Sequence, residues 1–152
     1  MLFRSPYSLE AQRAGLKSFG DTTDYIGPYQ ANSAFALRPW AEANRDLLTR
    51  YIAAYVECLR WVMAPENAAD GAAILVEDLN VERDVAAECV RRLTSPRTGF
   101  EPNAEIDDVA LANTLALRAT FGDQASLGRP SDYIDMSFHR AAMALPRPRG
   151  KT

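Results

Sequence analysis

Between Arg38 and Asn67, apolar side chains return every three or four positions. Leu48, Ile52, Tyr55, Leu59 and Val62 form one stripe, and Leu47, Tyr51, Val56 and Met63 widen it. That period predicts a long amphipathic helix turning one face to a core. Pro39 suits its first turn, where no intrahelical N–H partner is needed. Pro65 closes it by driving the residue before it toward extended geometry. Asn44 is placed to recap the helix after a preliminary turn.

The same period continues toward the carboxy terminus. Asn67 is placed to cap a second helix, with Asp70 three residues on in capping-box position. Ala68, Ala72, Leu75 and Leu79 share one side, where small residues favour close approach to the first helix. Asn80 is read as the cap of a third helix, whose stripe is Val81, Val85, Cys89 and Leu93. Glu105 or Asp107 opens a fourth over IDDVALANTLALRATFG, and Gly122 is placed for a left-handed stop. A last helix over SDYIDMSFHRAAMAL takes Ser131 or Asp132 as its cap. Short connections make antiparallel helix pairs the economical arrangement.

The amino-terminal third reads differently. Residues Pro6 to Ala14 predict a short helix opened by Ser5 or Pro6 and stopped by Gly15. LKSFG and YQANSAFALR carry the alternation of short strands, and DTTDYIGP between them reads as a connection. The expected fold class is therefore α/β and predominantly helical, with five or six helices and two or three short strands. Residues 1–143 form the expected domain. Residues 144–152, with Pro146 and Pro148 interrupting Arg147, Arg149 and Lys151, form an expected flexible basic tail.

Composition narrows the function classes. A chain of 152 residues with 47% apolar and 24% charged residues has the profile of one globular domain. The net charge of −3 gives a nucleic-acid partner no bulk electrostatic support. Cys58 and Cys89 each lie in a helical pattern beside apolar neighbours, the usual setting of buried free thiols, and two cysteines make no disulfide framework. No apolar run reaches the length of a membrane span. The stretch MLFRSPYSLEAQRAG makes a poor signal peptide, so a cytoplasmic location is expected if Met1 is the true start.

Candidate chemistry is sparse. His139 is the single histidine, and Asp135 at i−4 would orient its ring if both lay on one helix face. A zinc site would need carboxylates or isolated thiols for its other ligands, so no metal and no cofactor is expected. The acids from Glu66 to Glu88 read as a solvated face. The densest cluster of binding-type groups is Tyr29, Gln30, Asn32 and Ser33 in GPYQANSAF, on nonhelical chain where polar groups can converge on a solute. Tyr29, Gln30 and Asn32 are accordingly the expected ligand-binding residues.

The order of segments adds a resemblance. SPYSLEAQRAGLKSFGD, then YIGPYQANSAFALRPWAEANRDLLTRYIAAYVECLRWVMAPENAADGAAIL, then GFEPNAEIDDVALANTLALRATFG and SDYIDMSFHRAAM, resembles the carboxy-terminal half of the nitrate/sulfonate/thiamine-precursor substrate-binding proteins of ABC import systems. The resemblance implies part of a type-II periplasmic-binding-protein-like fold, with the PYQ segment as a crossing between lobes. It implies a noncatalytic, periplasmic component that binds a small polar solute and meets an ABC permease. Ala31 stands where that family often has glycine. On this resemblance the chain is expected to lack the family's first lobe and export signal. Helices that would cover its sheet are then expected to expose apolar faces, which favours a homo-oligomer. The alternative expectation is a structural or protein-interaction domain that self-associates and has lost ligand binding, with enzyme activity third.

Overall fold

Leu37 enters a helix in extended geometry, Pro39 occupies the first turn, and the run breaks at Asn44, whose side-chain amide donates to Trp40 O at 2.9 Å. The long pattern is thus two helices in series. The structure, a computed structural model, describes residues 6–96, 99–122 and 127–146. In these the helices are α1 (Tyr7–Arg13), α2 (Thr22–Ile26), α3 (Arg38–Ala43), α4 (Arg45–Met63), α5 (Ala68–Leu79), α6 (Arg83–Leu93), α7 (Asp108–Phe121), α8 (Pro130–Tyr133) and α9 (Ser137–Met143). A 3-10 turn at Pro65–Asn67 joins α4 to α5.

Among the described residues there is no strand, which corrects the expected α/β class. LKSFG and the stretch YQANSAFAL ahead of α3 form neither strand nor helix, because alternation alone supplies no second strand to satisfy the ladder. The connection DTTDYIGP instead contains α2. There the Asp24 carboxylate accepts from the Asp21 N–H at 3.3 Å and Gly27 turns the chain out at φ 75°. A two-lobed α/β binding protein needs a sheet between its helices. The all-helical architecture is inconsistent with it, so the resemblance to the import-system binding proteins is overturned, and with it the assignment as their solute-binding component.

The described chain divides into two units. The first comprises Met1–Gly20 and Val56–Ala104, the second Asp21–Tyr55 and Glu105–Thr152. Within the first, α5 packs against α6, and Val81, Val85, Ala86 and Cys89 form a buried cluster flanked by Leu9, Ala72, Leu75 and Val76. The α6 stripe therefore sits as its period requires. Asn80 does not open α6. It ends α5 in the left-handed conformation, φ 51°, a geometry that asparagine tolerates better than most side chains, and Glu82 is the residue that enters α6. Asn67 precedes α5 but turns its amide to Trp61 O at 2.8 Å.

The second unit buries smaller and more polar groups: Ala41, Thr49, Ala110, Phe138, His139 and Ala142. Asp107 caps α7 as expected, accepting from Val109 N at 2.8 Å and Ala110 N at 2.9 Å. Gly122 leaves α7 extended rather than left-handed, φ −105°. The helix expected over SDYIDMSFHRAAMAL is interrupted between α8 and α9. Its cap is Arg129, whose N–H donates to Asp132 at 2.8 Å, rather than Ser131 or Asp132. From Arg147 onward, the expected basic tail lies outside the described residues, as does Ser5.

Candidate functional site

The expected binding cluster is held from within the second unit. Gln30 N–H donates to Thr114 Oγ1 at 3.0 Å, and the Gln30 amide donates to Asn32 O at 2.8 Å. From α7, Asn113 Nδ2 donates to Ile26 O at 2.6 Å and to Pro28 O at 2.7 Å. Two adjacent side chains of α7 thus clamp the backbone of the GPYQ stretch, satisfying groups that a loop otherwise leaves to water. Gln30 is half-buried at this clamp, whereas Tyr29 and Asn32 are exposed. Sequence reasoning missed Asn113 and Thr114, which lie more than eighty positions from the groups they hold.

His139 is buried on α9, next to buried Phe138. Asp135 lies ahead of the helix, not on it, and its Oδ1 accepts from Ser137 N at 2.9 Å. The Ser137 hydroxyl first, and then that backbone bond, hold the Asp135 carboxyl below the usual carboxylate range. Asp135 and His139 therefore do not lie on one helix. Among the described residues no group of three His, Cys, Asp or Glu side chains could hold a metal ion, and no helix is long and apolar enough to cross a membrane.

Within the first unit, Leu9, Gln12, Arg13, Asp84, Val85 and Glu88 line an open pocket of about 290 Å³ between α1 and α6. Its charged groups are engaged with their own neighbours. Arg13 pairs with Asp84 and holds that carboxyl low. Glu88 accepts from Arg92 Nε at 2.8 Å and from Arg91 Nη2 at 2.6 Å, which also depresses its pKa. Burial pushes the Cys89 thiol up, the setting of an inert structural cysteine.

The largest departure from the sequence reading is on α4. Its buried side is Thr49, Val56 and Leu59, with Ile52 and Met63 half-buried. Leu47, Tyr51 and Tyr55, expected in the core stripe, are 53%, 56% and 47% exposed. Cys58, expected to be buried, is exposed as well, and Trp61 is 40% exposed. At about 100° per residue, Leu47, Tyr51, Ala54, Tyr55, Cys58 and Trp61 fall in one arc of roughly 120°. Asp46, Arg50 and Glu57 fall together along one edge of that arc. The Tyr51 and Tyr55 rings stack with centroids 6.5 Å apart and planes 15° apart, which fixes two large apolar faces one turn apart on the surface. A contiguous exposed apolar strip with a charged margin has the make-up of an interaction surface rather than of a solvated helix back.

No family model, curated protein or solved structure matches the chain.

Proposed function

We propose that this chain is a noncatalytic, structural protein-interaction domain that acts by self-association. The observation that carries this reading is the outer face of α4, where Leu47, Tyr51, Tyr55 and Trp61 stand exposed on a helix whose opposite side is already committed to Val56 and Leu59. An exposed apolar strip of this kind marks an interaction surface, and among the described residues the outer arc of α4 is left exposed. The second unit adds weight, because among the described residues its buried set holds one large apolar side chain, Phe138, among alanines and polar groups. So small an apolar core leaves stability to be supplied by association. Light scattering on the full chain tests the reading: the molar mass should rise with concentration above the 16.8 kDa of a single copy. A mass fixed at one copy across the accessible range contradicts it.

A further inference from the structure

The outer face of α4 carries enough pattern to specify its partner and the register in which it docks. Resting on the self-association reading above, we infer that a second copy of this chain lies antiparallel along α4, the two helices crossing at Ala54 on a two-fold axis.

Three features of the helix lead there. First, the strip is symmetric about Ala54 in content. Leu47 and Trp61 lie seven positions to either side, so an antiparallel two-fold sets Leu47 of each copy against the partner subunit's Trp61. Second, the residue at the centre is small, which lets the two backbones approach where the helices cross. On the same account, Tyr51 of one copy faces the partner subunit's Tyr55 and Cys58, extending the stacked tyrosine pair across the axis.

The third feature is charge. Arg50 and Glu57 lie on the same margin of the strip. In an antiparallel pair, like margins of the two helices face one another, so Arg50 meets the partner subunit's Glu57 with an axial offset of about 1.5 Å, one residue rise. In a parallel pair that margin would face the other edge of the strip, which carries the apolar residues Leu48, Tyr55 and Val62. Arg50 already pairs with Asp46 at 2.7 Å, while Glu57 has no ion-pair partner among the described residues. The antiparallel register supplies Glu57 with its cation twice, once on each side of the axis. This complementarity selects a second copy in this orientation over an unrelated apolar partner.

The test is site-specific cross-linking of the full chain in a Cys58→Ser background, which removes the exposed native thiol. Helix axes 8–10 Å apart leave roughly 4–5 Å between facing Cα atoms at the crossing, within disulfide reach. Ala54→Cys should therefore form a symmetric disulfide dimer under mild oxidation with oxidised glutathione. Tyr51→Cys, whose two copies are separated by about 9 Å along the axis, should not. In parallel, Arg50→Glu should weaken self-association by about tenfold, and adding Glu57→Arg should restore it, since the swapped pair is again complementary. All of these positions are exposed, and circular dichroism checks that each variant folds. A dimer by light scattering that cross-links at Tyr51→Cys and not at Ala54→Cys, or that ignores the charge swap, overturns the register and leaves self-association standing. A protein that stays monomeric throughout overturns both.

Discussion

The two units of this chain are held by different chemistry. The first is built on apolar side chains: Val81, Val85 and Ala86 with Cys89 between α5 and α6, together with Val56 and Leu59 from the end of α4. The second is built on polar groups reaching backbone. Asn113 and Thr114 clamp the GPYQ stretch, Arg38 donates to Asp132 O at 2.7 Å, and Arg45 lies 4.1 Å over the Phe138 ring. Side-chain burial stabilises without regard to direction, whereas hydrogen bonds give geometry but little net free energy. Among the described residues, the buried branched aliphatic side chains Val56, Leu59, Val81, Val85 and Val90 all lie in the first unit. The second is specified in shape yet short of buried apolar surface, and it carries the most prominent exposed aromatic pair, Tyr51 and Tyr55.

The sharpest way to break this contrast is a charge in the first core. Val85 is 2% exposed, and Val85→Asp leaves an uncompensated carboxylate there at a cost on the order of 3–5 kcal/mol. Urea unfolding should show the α5–α6 region lost under native conditions. The milder Val85→Ala should cost about 2 kcal/mol. If Val85→Asp were tolerated within 1 kcal/mol, on the order of one surface substitution, the aliphatic account of this unit would fail.

A smaller effect sharpens the polar side of the comparison. Asn113→Ala removes the donor to both Ile26 O and Pro28 O and should cost about 1–3 kcal/mol, read by urea unfolding. Hydrogen exchange should show the loss concentrated in α2 and the GPYQ stretch, with α5 and α6 unchanged. Arg45→Gln, which removes the cation from above the Phe138 ring, should cost about 0.5–1 kcal/mol.

The smallest effect is a pH dependence of the first unit. Glu88 is depressed in the fold chiefly by hydrogen bonds from Arg92 and then Arg91. Its contribution is therefore present above its unfolded pKa and is lost as pH falls through the lower folded value. Unfolding followed from neutral pH downward should show stability falling below the ordinary carboxylate range, with Glu88→Gln flattening that limb. A wild-type profile identical to that of Glu88→Gln would remove Glu88 from the acid response.

Much of the helical layout was legible because period and caps are local. Val85 and Cys89 lie one turn apart on α6, with Val81 just ahead of it, and all three are buried as the period requires, and Asp107 caps α7 through its own neighbours. The orientation of α4 was not legible. Leu48, Ile52 and Leu59 compete with Leu47, Tyr51 and Tyr55 for the core, and periodicity cannot rank two apolar arcs of one helix. The expected strands failed for a related reason, since LKSFG and YQANSAFALR have the alternation but no partner to complete a ladder. In the candidate site, Gln30 and Asn32 carry the polar groups that the sequence reading noticed. The partners Asn113 and Thr114 come from a helix far along the chain, which no local pattern announces.

The most direct test of the central claim needs no substitution. Cys58 is exposed on the outer face of α4 and Cys89 is buried in the first unit, so a small alkylating reagent distinguishes them by peptide mass. If a second copy covers that face, the alkylation rate at Cys58 should fall as protein concentration rises, following the monomer fraction, while Cys89 stays slow throughout. A Cys58 rate independent of concentration, across a range in which light scattering reports association, would contradict the assignment of the interface to this face of α4.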